Sequence, residues 1–446
     1  MPLVWTLVGI ALLLALVLVV RLDALFALLL AAAAVGLLNG MGPLAVLDAV
    51  QRGVGATMGG VVLVLVFGAM LGKMLEESGA AHVIVARLAR LFGPGREGPA
   101  MAAAGLLVGL PMLYNAGFLV LIPLVYALAR STRRPLAAVG VPAAAALSAT
   151  HGFLPPHPAP TAVAFAYGAG VGRTLAVGLV AAVPAVVLGG LLFGRTLGRG
   201  AVARVGPPSE FAAEVPEAAL LPGFGASVVV ALVPVLCMLA GAAVDLAAGA
   251  GRVDPKAPLA VAGRVVGNAT VALLAGVFAA LYAFGVRRGR PMDALMRSLG
   301  GATAGIAGLA LVIAAGGAFA QVLKEAGVAD YVARRAGALG WNPVLLAFAV
   351  AAALRFAVGS ATVAALTTAG ILGPVAHGAG AARPELLVVA TGAGSLMFSH
   401  VNDTGFWMFK QYFNLTVRQT FATWSVMEMV VALAGLGAAL ALQLVW

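Results

Sequence analysis

The chain has 446 residues, 62% of them hydrophobic and only 10% charged, where soluble domains carry about 25% charged residues. With a mean hydropathy of +1.07 it cannot cover a water-facing surface, which excludes soluble-enzyme, disordered and collagen-like classes. The formal charge of +11 comes from 27 Lys and Arg set in short clusters between apolar runs, so these cations read as topology signals and not as a nucleic-acid face.

In chain order, the runs free of charge are 1–20, 24–47, 53–72, 98–129, 135–172, 174–194, 218–244, 265–286, 298–323, 336–382, 386–402 and about 421–446. Arg355 alone interrupts the tenth run and Glu428 the last. Most suit one helix of about 20 residues across a hydrocarbon core of about 30 Å. The first run has no basic residue before its apolar stretch and is expected to be a membrane helix and not a cleaved signal peptide. Cys237, the one cysteine, lies inside an apolar run and reads as core filler, which leaves no internal disulfide and no thiolate cluster.

Three runs are too long or too broken for one straight helix. Residues 98–129 carry Leu110-Pro-Met-Leu-Tyr114-Asn115-Ala-Gly117 at their centre, and Pro, Gly and Asn there break a helix. Arg87, Arg90 and Arg96 before this run and Arg130, Arg133 and Arg134 after it put both ends inside, which suits a re-entrant hairpin. Residues 336–382 break around Val358-Gly-Ser360-Ala-Thr362 between Arg334, Arg335 and Arg383, and suit a second hairpin entering from outside. In the run 135–172 lies Ser148-Ala-Thr-His151-Gly-Phe-Leu-Pro-Pro-His157-Pro-Ala-Pro-Thr161, where two imidazoles and four prolines forbid a continuous helix.

An internal repeat organises these breaks. Residues 72–81 reappear at 320–329 with Leu, Glu, Gly and Ala coinciding, the hairpin tips follow in the same order, and 148–151 corresponds to 397–400 at an offset of 249. The expected fold is an all-α polytopic membrane protein of two inverted repeats. The first spans 1–207, with its hairpin at about 98–129 and broken helix at about 135–167. The second spans 208–446, with its hairpin at about 341–380 and broken helix at about 386–408. Each repeat has five crossings and one hairpin, giving ten crossings with both termini outside. Interrupted helices at matching places in inverted repeats point to a secondary transporter's midplane site.

Unwound backbone at that depth can hold a ligand, and a half-helix N-terminus favours an anion. Arg355 is the single charge in its 47-residue run and is expected to hold a substrate carboxylate or to pair with an acid such as Asp403. In the other reading, the 155–160 prolines mark an ordinary loop and Asp403-Thr404 merely caps the next helix. His82 and His377 read as loop residues, and Glu428 as lying near the interface.

The strings His151-Gly-Phe-Leu-Pro-Pro-His-Pro-Ala-Pro-Thr161, Leu354-Arg-Phe-Ala-Val-Gly-Ser-Ala-Thr-Val363 and Phe398-Ser-His-Val-Asn-Asp-Thr-Gly-Phe-Trp-Met408 resemble the gluconate permease family of proton symporters. Tyr412-Phe-Asn-Leu-Thr-Val-Arg-Gln-Thr-Phe-Ala-Thr-Trp-Ser425 also fits, and Ala159 stands where the family string has glycine. The resemblance covers most of the chain. It implies uptake of gluconate or a related small organic acid across a bacterial inner membrane with protons, no enzymatic activity and no cofactor. It further implies a transport domain that moves against a dimerising scaffold, hence a homodimer in the lipid bilayer, with no nucleic-acid partner.

The substrate-binding candidates are Tyr114, Asn115, Gly117, His151, His157, Arg355, Ser360, Thr362, His400, Asn402, Asp403 and Thr404, with no metal. His151, His400 and Asp403 are the proton-coupling candidates, since imidazole titrates nearest working pH. Alternatively the histidines tie broken helix ends together and the proton enters elsewhere, for instance at Glu428. Three rival functions stay open. Na⁺ coupling could run through Ser360, Thr362, Asn402 and exposed carbonyls. An intramembrane zinc enzyme could use His151, His157, His400 and Asp403, although a His-Glu-x-x-His helix is absent from the sequence. A passive channel is the third.

Overall fold

The computed structural model describes residues 2–198, 202–206, 221–327, 341–377 and 383–445. The expected domain boundary at 207/208, the last residues of the repeated string at 328–329, and Arg334 and Arg335 before the second hairpin lie outside the described residues.

Among the described residues every regular element is helical. The first helices are α1 Pro2–Leu18, α2 Ala24–Leu38, α3 Pro43–Glu77 and α4 Ala80–Phe92. The pair α5 Glu97–Gly109 and α6 Tyr114–Thr132 follows, then α7 Leu136–Phe153, α8 Pro158–Ala166 and α9 Val171–Thr196. The second part holds α10 Phe224–Gly249, α11 Pro258–Gly267, α12 Ala269–Arg288 and α13 Met292–Glu325. It ends with α14 Pro343–Val358, α15 Ala361–His377, α16 Pro384–Leu396, α17 Thr404–Tyr412 and α18 Val417–Val445. Among the described residues eight segments are long and apolar enough to cross a membrane, the broken pair 136–166 counted as one, and six shorter helices are also apolar. His82 lies in α4, partly buried, and His377 ends α15, so neither is a loop residue as its sequence setting suggested.

The element order shows the same sequence of lengths twice. A helix of 35 residues, α3, and one of 34, α13, each precede a helix pair, a helix interrupted at its far end, and a long closing helix. Interruptions fall at 110–113, 154–157, 359–360 and 397–403; proline removes a donor in the first two, glycine a side chain in the third, and the last is a run of polar residues around Ser399, His400, Asn402 and Asp403. The closing helices α9 and α18 each contain a stretch of wider turn, at 186–192 and 421–425. The second of these carries Trp424 and Ser425 toward the helix breaks.

The two long helices pack on one another, with α2 and α15 against α13 and α12 against α3. Lipid tails are as apolar as leucine, so close backbone approach has to supply the association. A Cβ on Gly53 would sit 2.5 Å from the Gly317 carbonyl, and one on Gly317 would meet the Thr57 hydroxyl. Ion pairs tie both ends of the crossing. Arg52 grips Glu325 with three hydrogen bonds of 2.8–3.2 Å, and Glu77 accepts from Arg290 at 2.8 Å and Ser298 at 2.7 Å. The other body is built on α7 and α16, which pack on α5, α6, α9, α14 and α18. Almost every residue of these two helices is buried.

Candidate functional site

The interrupted helices bring their ends together, and the capping rules explain what sits there. Arg355 lies in the last turn of α14, where a cation suits the helix dipole. Asp403 is the N-cap of α17, and its Oδ1 accepts from the Gly405 amide at 3.0 Å. The two meet across the break: Arg355 Nη2 donates to Asp403 Oδ2 at 2.5 Å, with the arginine side chain 3% exposed and the aspartate 15%. Asp403 thus caps a helix and also pairs with Arg355. Ser399 donates to the same oxygen, while Trp424 Nε1 donates to Ser399 Oγ at 2.7 Å.

Turn 397–403 is anchored to the tip of the second helix pair. His400 Nε2 donates to the Phe356 carbonyl at 3.0 Å, and Asn402 Nδ2 donates to the carbonyls of Phe356 and Ala357 at 3.0 and 3.3 Å. These carbonyls are orphaned at the end of α14, and the two side chains satisfy them. Gly359 is required twice over. Its φ is +77°, and a Cβ there would lie 2.3 Å from the Asn402 carbonyl.

The first half has an equivalent anchor. His157, the N-cap of α8 and 4% exposed, donates from Nε2 to the Gly109 carbonyl at the end of α5, at 2.5 Å. By contact, therefore, the counterpart of His400 is His157, where the sequence offset paired it with His151. His151, in the last turn of α7, is free for another role. Its ring faces Tyr114 at 6.3 Å between centroids and His157 at 5.5 Å, and Tyr114 faces Trp424 at 5.8 Å.

Glu428 belongs to this cluster, which corrects its placement near the interface. The helix begins at Val417, so Glu428 lies eleven residues, roughly 16 Å, along it. It is 2% exposed and accepts from the Ser148 hydroxyl of α7. It lies one turn beyond Trp424, whose Nε1 reaches the Ser399 hydroxyl that bonds Asp403. Several polar atoms around this point are buried without a partner: Arg355 Nε and Nη1, Tyr114 Oη, His151 Nδ1 and Glu428 Oε2. Buried donors without acceptors cost free energy unless a ligand supplies one.

The other sequence candidates flank this cluster. Ser360 caps α15 by accepting from the Val363 amide at 3.3 Å, and Thr362 is buried behind it. Asn115, Asn402 and Thr404 are exposed, and Gly117 packs against Leu147. Sequence reasoning left Ser148, Ser399 and Trp424 out of the site. Ser148 and Ser399 stand inside the polar strings that mark the breaks, while Trp424 carried no signal until the chain was folded. Among the described residues no group of three or more His, Cys, Asp and Glu could hold a metal ion.

Comparison with known proteins places this architecture. The chain is 42% identical over 445 residues to the "High-affinity gluconate transporter" of Escherichia coli (strain K12) and 42% over 446 residues to its "Gnt-II system L-idonate transporter". It is 39% identical over 454 residues to the "Gluconate permease" of Bacillus subtilis (strain 168), with all of each chain covered in the three cases. Among solved structures, the Alcanivorax borkumensis YdaH transporter is similar with a TM-score of 0.65 at 22% identity, over 88% of each chain. Neisseria gonorrhoeae MtrF is similar with a TM-score of 0.57 at 15% identity, over 90% of this chain and 84% of that one. These two likenesses concern the fold. The family model of the GntP family permeases matches residues 1–445, and the chain therefore belongs to that family of multi-pass membrane transporters and is not an enzyme.

Proposed function

We propose that the chain imports gluconate or a closely related sugar or hydroxy acid, together with protons, across the inner membrane of a bacterium. The observation that carries this is the Arg355 guanidinium, buried between helix breaks with one nitrogen on Asp403 and two donor groups unpartnered. Nη2 has a second N–H, and with Nη1 or with Nε it forms a planar fork that fits a carboxylate. The Tyr114 hydroxyl and His151 Nδ1 supply hydrogen-bonding positions for the polyol. Asn115 and Ser360 at the two helix-pair tips, with Thr362, Asn402 and Thr404 near the second, are further candidates for contact with the substrate. The relatives named for gluconate and L-idonate favour a polyhydroxy acid over an amino acid.

The recurring element order supports two inverted repeats, 1–207 and 208–446, each with five crossings, a re-entrant hairpin and a broken helix. In this reading α5–α6 and α14–α15 are the hairpins, which approach the site from opposite sides of the membrane. They move with α7, α8, α16 and α17 against a homodimeric scaffold that includes α3 and α13. Among the sequence candidates for the proton, His400 is committed to a carbonyl and Asp403 to Arg355, while His151 faces the site.

The test is uptake into proteoliposomes with labelled gluconate, a proton gradient and no sodium, alongside binding of sugar acids, hydroxy acids and D-amino acids to the purified protein. Saturable, concentrative uptake driven by the gradient is expected. Uptake that needs sodium and ignores pH, or an absence of binding by any of these acids, overturns the reading.

A further inference from the structure

The cluster around the helix breaks holds two carboxyl groups and one matching cation. Asp403 has its charge met by Arg355 and by the Gly405 amide. Glu428 receives the hydroxyl of Ser148 alone, and its Oε2 is buried without a partner. The other ionisable groups of the cluster are Tyr114 at the head of α6, Arg355 of α14 and Asp403 at the head of α17, with His151 of α7 beside Tyr114. Arg355 is the permanent cation of this cluster.

A substrate carboxylate seated on Arg355 makes three anions around one guanidinium. In a low-dielectric interior a third uncompensated charge is excluded unless one acid becomes neutral. Asp403 already has its charge partners, so Glu428 is the acid left to be neutralised.

We propose that Glu428 holds the co-transported proton. Its Oε2 gains a proton from the outer water as the substrate carboxylate seats on Arg355, and gives it to the inner water once the carboxylate has left. One O–H bond forms and breaks in each cycle, and no covalent bond in the substrate changes. The scheme rests on the anion-import reading above and names its proton site. His151 stays uncharged throughout and serves as a hydrogen-bonding partner. The site then carries the same net charge empty, with Glu428 ionised, as it does full, with Glu428 protonated.

The experiment is calorimetric binding of gluconate to the purified full chain at alkaline pH, in buffers of different ionisation enthalpy, which counts protons taken up per ligand bound. The wild-type protein takes up one proton, Glu428→Gln takes up none, and Glu428→Asp restores the uptake. Wild-type uptake in Glu428→Gln overturns the assignment and leaves anion import standing. Absence of gluconate binding in the wild-type protein instead overturns the import reading itself, and with it this one. Should Glu428→Gln fail to insert, Ser148→Ala keeps the carboxyl but strips its hydroxyl donor, and the pH midpoint of gluconate binding moves. An unmoved midpoint in that variant counts against the proposal.

Discussion

Arg355 illustrates how one residue gathers its setting from several physical sources. The helix dipole favours a cation in the last turn of α14, the N-cap of α17 supplies the acid, and the turn between them aims the remaining donors inward. A lysine at this place keeps the charge and loses the fork. Arg355→Lys is therefore expected to insert normally and to weaken binding of the acid by about 2–3 kcal/mol, of the order of a charged hydrogen bond. Direct binding to purified variant protein measures this, and an unchanged affinity would exclude Arg355 as the carboxylate ligand. Gly359 is constrained differently, by its positive φ and by the Asn402 carbonyl. Gly359→Ala adds roughly 1–2 kcal/mol of backbone strain as well as a clash, and should separate turn 397–403 from the tip of α14. Reduced thermal stability in detergent together with lost gluconate binding is the expected outcome; retention of both would show that the backbone can adjust.

At the scale of elements, the interruptions divide the labour. The first helix of each pair ends in orphan carbonyls, and a histidine from the following broken helix covers them, His157 on Gly109 and His400 on Phe356. His157→Ala leaves the Gly109 carbonyl buried and unpaired, which costs about 1–3 kcal/mol. Thermal unfolding of the purified variant should register that loss, and a melting temperature equal to that of the wild-type protein would mean that water replaces the ring. The crossing of α3 and α13 depends on small residues instead. Gly53→Leu forces these helices apart, because the added side chain would collide with the Gly317 carbonyl and the Ala318 backbone. A larger loss than from breaking the exposed Arg52–Glu325 pair is expected, since exposed ion pairs contribute only about 0–1 kcal/mol. Comparison of Gly53→Leu with Arg52→Ala in the same melting assay checks the order, and the reverse ranking would place the stability of the crossing in its charged ends.

For the whole molecule, the proposed charge balance at the site would set how transport responds to the two parts of the proton-motive force. A site of equal net charge in its empty and loaded forms moves no net charge in a full cycle of one monovalent acid with one proton. Gluconate accumulation in proteoliposomes should therefore follow the imposed pH gradient and ignore a potassium-diffusion potential of either sign. Acceleration by an inside-negative potential would require a second proton. Alternating exposure makes a further prediction for the two helix-pair tips. Single cysteines at Asn115 and Ser360 in a Cys237→Ala background should each react with a small thiol reagent and be protected by gluconate. Free labelling of both under saturating ligand would separate the tips from the site.

The sequence by itself determined the membrane class, because composition is read without knowing any contact. It also determined where helices must break, since proline and glycine act on their own backbone. Arg355 and His151 were legible for the same reason, being polar groups in runs otherwise free of charge, and Asp403 as the acid that ends such a run. Only the tertiary structure decided which of these groups meet. Glu428 looked interfacial because the last apolar run reads as beginning at about 421, whereas the helix begins at Val417. Its contact with Ser148 spans 280 residues of chain. His157 and His400 share a role that residue offsets assigned to another pair, because that role is fixed by which orphan carbonyl lies within reach and not by spacing along the chain. Trp424 became part of the site through the wide turn at 421–425, whose rotation of the helix face no local residue pattern announces.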